Sequence, residues 1–290
     1  MRCWPTSPRC GAPTISAGTA SASWRGEVSE LDFLRAPTLD ADGIVHAFTT
    51  RTGGVSAGPY ESLNLTWSRG DAKEAVAENR RRVTEALGLD RLVFANQVHG
   101  RNVLKVDAAP RTAWSAGEGD ALITDRPGLG LCAQTADCVP VLLFDPERPA
   151  VAAVHAGWRG IVAEIIPAAI SAMGEAYGTA PARLRAAIGP AISKENYRVG
   201  PEVLEQFEAV FGDLDDALVG PRDGQGGAGL DVGEAARRQL VAAGIPEAAV
   251  SRLPGCTFAD EARFFSSRRA ARDGHAGKFG GQCGLIGLRG

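Results

Sequence analysis

Residues 135–160 read Thr135-Ala-Asp-Cys-Val-Pro-Val-Leu-Leu-Phe-Asp145, then Pro-Glu-Arg, then Pro149-Ala-Val-Ala-Ala-Val-His-Ala-Gly-Trp-Arg-Gly160. Two apolar runs flank a short polar turn containing proline, which is a hairpin pattern. With Asp145 set opposite Arg148, Cys138 falls opposite His155. Directly opposed residues of an antiparallel pair share a face, with Cβ atoms about 4.5–5.5 Å apart. The side-chain period along a strand is two, so a one-residue slip would send the thiol and the imidazole to opposite faces.

A cysteine facing a histidine has three readings. The pair is a buried thiol beside a hydrogen-bonded core histidine, a thiolate–imidazolium nucleophile, or two ligands of a metal that needs a third. Asn96-Gln-Val-His-Gly100 offers that third ligand in His99, where a polar segment closes an apolar strand. Strand ends are where a rigid scaffold presents side chains to ligands. Three protein ligands with an open fourth position describe a catalytic zinc centre, whereas a structural zinc is normally closed by four. The chain has only four histidines, His46, His99, His155 and His275.

Working outward, short β-like runs dominate the middle of the chain: Ile44–Thr49, Leu92–Val98, Val103–Val106, Ala121–Thr124, Leu129–Ala133, Val139–Phe144, Ala150–Val154 and Leu184–Ile188. Helical patterns interleave at Ala72–Leu87, Ile161–Tyr177, Pro201–Phe211 and Gly233–Ala243, with Pro167 expected to kink the second. The order is mixed and several turns are tight. The expected fold class is therefore α/β with α+β-like layers, a sandwich of mixed sheets with flanking helices, in preference to a doubly wound sheet. Gly220–Gly229 reads as a flexible surface loop too near the C-terminus to divide two cores. Residues 29–290 are expected to form a single catalytic domain. Residues 1–28, rich in Ser, Thr, Pro, Gly and Ala, read as a disordered or mis-annotated extension without a secretory apolar stretch.

A net charge of -3 gives no global attraction for nucleic acid or anionic membrane. No apolar run is long enough to span a bilayer, and the six cysteines include no C-x-x-C pair. These features fit reduced thiols in a cytoplasmic protein. Cys132 and Cys283 read as packing residues, His46 as a satisfied core or edge histidine, and His275 as exposed. Nothing in the sequence sets the oligomeric state, and a monomer or weak dimer is the expectation.

Several motifs occur together: Phe48-Thr-Thr-Arg-Thr-Gly-Gly-Val-Ser56, Ser62-Leu-Asn-Leu65, Asn96-Gln-Val-His-Gly100, Asp120-Ala-Leu-Ile-Thr124, Ala136-Asp-Cys-Val-Pro140, His155-Ala-Gly-Trp-Arg-Gly160, Ile188-Gly-Pro190 and Phe264-Phe-Ser-Ser-Arg-Arg269. In this order they resemble the YfiH-type family, long labelled polyphenol oxidases or laccases and now regarded as purine nucleoside phosphorylases that also deaminate adenosine. The resemblance runs from about Ile44 to Leu288. It implies a layered fold akin to the catalytic domain of cytotoxic necrotizing factor toxins. It also implies one zinc ion on His99, Cys138 and His155, and purine nucleosides and inorganic phosphate as partners. The chain departs from the pattern at Glu195-Asn-Tyr197, where relatives often carry Cys-Cys-Tyr, and at Lys278, where they often carry Arg. Lys278 keeps a charge for phosphate but loses the planar bidentate fork.

Roles follow as expectations. Arg51, before Gly53-Gly54, is the candidate phosphate or ribose contact, with a solvated surface arginine as the alternative. Ser266, Arg268 and Arg269 form a second polar-basic cluster, read as substrate contact or ion-pair partners. Asn64 and Gln97 carry the groups to read a purine or sugar edge, or to satisfy backbone. Asp137 and Asp120 are the candidate carboxylates for moving protons in zinc-assisted deamination. Trp158 either stacks on a base or fills core, and Cys256 is a candidate neighbour of the site. A multicopper oxidase needs far more imidazole ligands than four histidines supply. A metal-free cysteine hydrolase or amidase using Cys138 and His155 remains the enzymatic alternative, and an interaction module the non-catalytic one.

Overall fold

The computed structural model describes residues 30–108 and 115–290, so the expected extension 1–28 lies outside the described residues. In chain order the strands are β1 (Phe33–Leu34), β2 (Ile44–Thr49), β3 (Arg91–Phe94), β4 (Val103–Lys105), β5 (Ala121–Thr124), β6 (Leu129–Thr135) and β7 (Val139–Asp145). There follow β8 (Ala150–Ala156), β9 (Arg185–Ile188), β10 (Arg198–Val199), β11 (Ala228–Gly229), β12 (Val250–Arg252) and β13 (Gln282–Leu288). The α-helices are α1 (Lys73–Leu87), α2 (Trp158–Val162), α3 (Ile165–Tyr177), α4 (Pro201–Phe211), α5 (Val232–Ala242) and α6 (Ser267–Arg272).

Two mixed sheets carry the fold, one ordered β1-β2-β13-β6-β3 and one ordered β12-β9-β7-β8-β5-β4. The alternation of apolar residues along each strand sets four layers. On β7, Leu142 and Phe144 face the other sheet, where they meet Phe48, Leu131, Ala133 and Ile286. Val139, Val141 and Leu143 face outward, under Ile165, Ile166, Ala169 and Met173 of α3 and the apolar faces of α4 and α5. The outer face of the five-stranded sheet, with Val45, Phe94, Cys132 and Leu285, is covered by Val83 and Leu87 of α1. A helix layer, two sheets and a second helix layer are the expected sandwich.

The hairpin forms in a register two residues from the expected one: Asp145 pairs with Ala150, and Pro140 pairs with His155. The turn is longer than proposed because Pro146-Glu-Arg-Pro149 all lies outside the ladder. A slip of two preserves the face, so Cys138 and His155 stay on the side that looks into the space between the sheets. Several other expectations need correction. The run Leu92–Val98 ends as a strand at Phe94, and the long second helix is broken at Glu164, whose φ is +62°. Pro167 then sits in the first turn of α3, where its missing N–H is not needed. Within Gly220–Gly229, Ala228–Gly229 pairs with β10 and Asp223 accepts bonds from the Gln225 and Gly227 amides, so the segment is partly structured.

The central strand β13 was not expected at all. Its glycines explain both the omission and the need. A Cβ at Gly284 would lie 2.8 Å from Pro140 Cβ, and one at Gly287 would lie 2.6 Å from the Leu129 carbonyl oxygen. Glycine is placed here because the facing sheet closes tightly on Gly284 and the neighbouring β6 backbone and Leu89 close on Gly287.

Candidate metal centre and its cavity

Asp120, just before β5, organises the centre. Its carboxylate accepts the amides of Val98 (3.2 Å), His99 (2.9 Å) and Gly100 (2.8 Å), folding 98–100 into a tight turn with His99 at φ +61°. It also accepts His155 Nδ1–H at 2.8 Å. That bond fixes the tautomer and leaves His155 Nε2 free to bind a metal, the usual arrangement behind a metal-bound histidine. Burial alone would raise the Asp120 pKa, but the His155 and backbone hydrogen bonds outweigh it and hold the carboxyl below its ordinary value. Sequence reading offered Asp120 as a carboxylate for moving protons at the substrate, and the structure instead places it behind the candidate ligands.

The ligand atoms of His99, Cys138 and His155 all lie within 4.8 Å of one another. Cys138 Sγ is 3.7 Å from His99 Nε2, and the two imidazoles stand edge to face with centroids 4.8 Å apart. A tetrahedral zinc with bonds of about 2.0–2.3 Å spaces its ligands roughly 3.3–3.6 Å apart, so the donor set fits such an ion with little movement. Burial pushes the Cys138 thiol up, but the facing imidazoles outweigh it and hold the sulfur toward thiolate. Burial pushes His155 down, and the sulfur and Asp120 together hold it above its ordinary value. Gly157 completes the packing. It follows β8 on the strand that faces Cys138, and a Cβ there would sit 2.7 Å from His99 Cδ2 and 3.1 Å from Cys138 Sγ.

The three candidate ligands line a cavity of about 560 Å³, within the usual range for small-molecule sites. Its walls include Thr66–Arg69, Ala95–Gln97, Ser115, Gln134–Ala136, Ser267 and Phe279–Gly281. Among the described residues none of the lining groups is a carboxylate, and Arg69 is the one lysine or arginine. Arg69 stacks over Phe279, 4.3 Å from its ring centre, while its carbonyl accepts the Tyr60 hydroxyl. Partial burial lowers its pKa, and the Cys138 sulfur acts in the opposite direction. Sequence reading missed Thr66–Arg69, Ser115 and Phe279. The available signal was the adjacent pair Gly280-Gly281, since a Cβ at Gly281 would lie 2.3 Å from Thr66 Oγ1.

The other expected site residues fall behind the walls or away from them. Gln97 lines the cavity, but its amide is spent on the backbone N–H and C=O of Gln134, 2.8 Å each. Asn64 is fully buried and joins Thr66 to the Gly281 amide (2.9 Å), so it holds the wall together. Arg51 is no part of the lining: its Nε donates to the Glu61 carbonyl at 2.7 Å, its Nη1 to the Glu261 carbonyl at 3.1 Å, and it packs over Phe265. Arg269, buried, donates to the carbonyls of Thr257 (2.7 Å) and Phe258 (2.9 Å). Ser266 caps α6. Arg268 reaches the Arg198 carbonyl and lies over Tyr197, and Lys278 is exposed. Asp137, at φ +95°, turns its carboxylate to Thr257 Oγ1 (2.8 Å) and the Arg268 amide (2.7 Å). Trp158 packs against the helix-side core, and Cys256 takes bonds from Ser193 and Asn196 outside the lining.

The other two histidines behave as expected. His46 accepts the Ala36 amide at 2.8 Å within the core, and His275 is exposed.

With this geometry in view, the model of the family described as multi-copper polyphenol oxidoreductase laccase matches residues 45–289. The chain belongs to this family. A purine nucleoside phosphorylase of Deinococcus radiodurans is 43% identical over 260 residues, covering 89% of this chain and 93% of the relative. The family member YfiH of Escherichia coli, also named a purine nucleoside phosphorylase, is 35% identical and covers 82% and 93%. The crystal structure of YlmD from Geobacillus stearothermophilus superimposes with a TM-score of 0.80 at 34% identity, over 89% of this chain and 96% of that one. The mixed-sheet α/β fold is thus shared across the family.

Proposed function

We propose that this chain is a zinc-dependent purine nucleoside phosphorylase, with adenosine, inosine, guanosine and methylthioadenosine as the candidate substrates. The supporting observation is the convergence of His99, Cys138 and His155 on the floor of a cavity whose described walls carry no carboxylate. Relatives that match nearly the whole chain bear the phosphorylase name. In phosphorolysis a phosphate oxygen bonds to C1′ of the ribose while the C1′–N9 bond breaks. The bonding pair leaves on the purine, which takes a proton. A cavity without carboxylates suits an anionic nucleophile, because a negative wall would repel it. A zinc ion held by the three ligands would supply Lewis acidity at its open position. Asp120 fixes the His155 ring, and Asn64 and Gln97 hold the walls of the cavity together.

Adenosine deamination, which the resemblance implies, would need a proton carrier other than the two carboxylates suggested by the sequence. Asp120 is committed to four donors and Asp137 points elsewhere. A second reading rests on one specific feature: Cys138, His155 and Asp120 also have the order of a cysteine–histidine–aspartate triad. His99 beside the sulfur argues against it, since a nucleophile pair has no use for a third donor. The free thiols among the described residues and the lack of a helix there long and apolar enough to cross a membrane are consistent with the proposed cytoplasmic setting.

The test is purine release from inosine and adenosine at rising phosphate, with metal analysis. About one zinc per chain, release that saturates with phosphate, and loss of both metal and activity in Cys138→Ala are expected. Phosphate-independent release would overturn the proposal in favour of a hydrolase, and full phosphate-dependent activity after complete zinc removal would overturn its zinc dependence.

A further inference from the structure

A basic side chain is the usual protein contact for phosphate, and four of the candidates drawn from sequence do not face the cavity. Arg51 and Arg269 are spent on backbone carbonyls, Arg268 lies over Tyr197, and Lys278 is no part of the lining. From the cavity itself we infer that Arg69 is its anion contact and holds the inorganic phosphate. This inference rests on the phosphorylase reading and names the residue that makes it work.

Three observations carry it. Arg69 is the one lysine or arginine among the described lining residues, and no carboxylate there competes for it. Its guanidinium carbon lies over the Phe279 ring, 4.3 Å from the centroid, and the Tyr60 hydroxyl ties down its backbone, so the side chain is restrained before a ligand arrives. Among the described residues it has no ion-pair partner, unlike Arg81, Arg237 and Arg238, which each meet a glutamate. A stacked arginine with open donors matches two oxygens of a phosphate at once. Thr135 adds an independent signal. It lies on the β6 face that looks between the sheets, lines the same cavity and is 4% exposed, and its hydroxyl has no partner among the described residues. A buried hydroxyl without a partner beside a cavity calls for an explanation, and a ligand bound there supplies one. Phosphate offers it an acceptor oxygen.

The experiment uses the zinc-loaded full chain as wild type, Arg69→Gln and Arg69→Lys. Purine release is titrated with inorganic phosphate at saturating inosine and with inosine at saturating phosphate, and phosphate binding is measured by calorimetry. Loss of a charge-assisted bidentate contact predicts that Arg69→Gln raises the half-saturating phosphate concentration about ten- to a hundredfold. The inosine KM should change little, and Arg69→Lys should recover part of the loss. An unchanged phosphate dependence in an active Arg69→Gln overturns the inference and leaves the phosphorylase reading standing. If the wild type releases no purine with phosphate, that reading fails and calorimetry decides the inference alone. Phosphate binding lost in Arg69→Gln supports it, and equal binding, or none in the wild type, overturns it. Binding of inosine 5′-monophosphate in place of inorganic phosphate also overturns it, because the cation would then serve a nucleotide.

Discussion

Asp120→Asn tests whether one carboxylate builds the metal centre. The carboxylate receives four donors, three backbone amides of the 98–100 turn and His155 Nδ1–H. An asparagine keeps one acceptor oxygen, which can serve about two of them, and turns an NH2 group toward the rest. Two donors are left facing a donor, at roughly 1–3 kcal/mol for each unsatisfied group. The turn is only partly buried, so water can rescue part of this, and about 2–4 kcal/mol of metal-free stability should be lost. His155 also loses the acceptor that fixes its tautomer, which for such partners lowers metal affinity about ten- to a hundredfold. Chelator-competition titration of zinc and thermal melts of the metal-free protein read the two effects separately. Wild-type zinc affinity in a folded Asp120→Asn would refute the reasoning, because His155 would then be oriented by something else. A large loss of zinc affinity with an unshifted metal-free melt would refute the part that concerns the turn.

Gly157→Ala should weaken zinc binding by more than tenfold while the metal-free protein melts near the wild-type temperature. Its φ of −72° and ψ of 165° suit alanine, but the new methyl meets His99 and Cys138; full zinc occupancy at equal affinity would count against it. Arg51→Ala should cost about 1–3 kcal/mol of stability, measured by urea unfolding, through the lost bonds to the Glu61 and Glu261 carbonyls. Its half-saturating phosphate should stay near wild type, and a tenfold rise would restore Arg51 as a phosphate contact. His46 has its pKa lowered to about 4, by burial first and by Arg35 second. Its unfolded value is near 6.5, so stability linked to this group is complete above pH 6.5 and is lost as pH falls toward 4. The loss should reach about 2–3 kcal/mol and be smaller in His46→Gln, whose amide oxygen can still accept the Ala36 N–H. Identical pH profiles for the two proteins would contradict it.

The sequence was legible where a local pattern had a single meaning. The two apolar runs on either side of the Pro146–Pro149 turn located β7 and β8, and the parity of the strand protected the Cys138–His155 face even though the register moved by two. It was least legible where a residue had been chosen for what is absent. The run Gln282–Leu288 looks like a loop because of Gly284 and Gly287, yet those glycines let the central strand approach Pro140, Phe48 and the β6 backbone. Propensity counted them as breakers, and tertiary packing made them necessary.

The polar residues divide by the same logic. A histidine or a cysteine at a strand end carries its chemistry at the tip of a short side chain, so its backbone position nearly fixes its reach. Cys138 and His155 could therefore be paired from strand parity, whereas His99, in a turn beyond β3, came from the polar close of its segment and the family resemblance. An arginine reaches in any direction along its flexible stem, and a buried guanidinium is as well satisfied by carbonyls as by a phosphate. Arg51 and Arg269 were singled out for their motifs and are held by chain carbonyls, whereas Arg69 stands in the unremarkable segment Thr66-Trp-Ser-Arg69 and faces the cavity. What brings it there is remote from its own sequence. Asn79 and Arg80 of α1 hold the carbonyls of Ser62, Asn64 and Leu65, Asn64 ties Thr66 to Gly281, and Phe279 supplies the surface on which the guanidinium lies. A cation's function in this fold is thus set by the carbonyls left over after the walls are built. Those carbonyls are settled by contacts up to 217 residues apart in the chain, a distance over which local pattern carries no information.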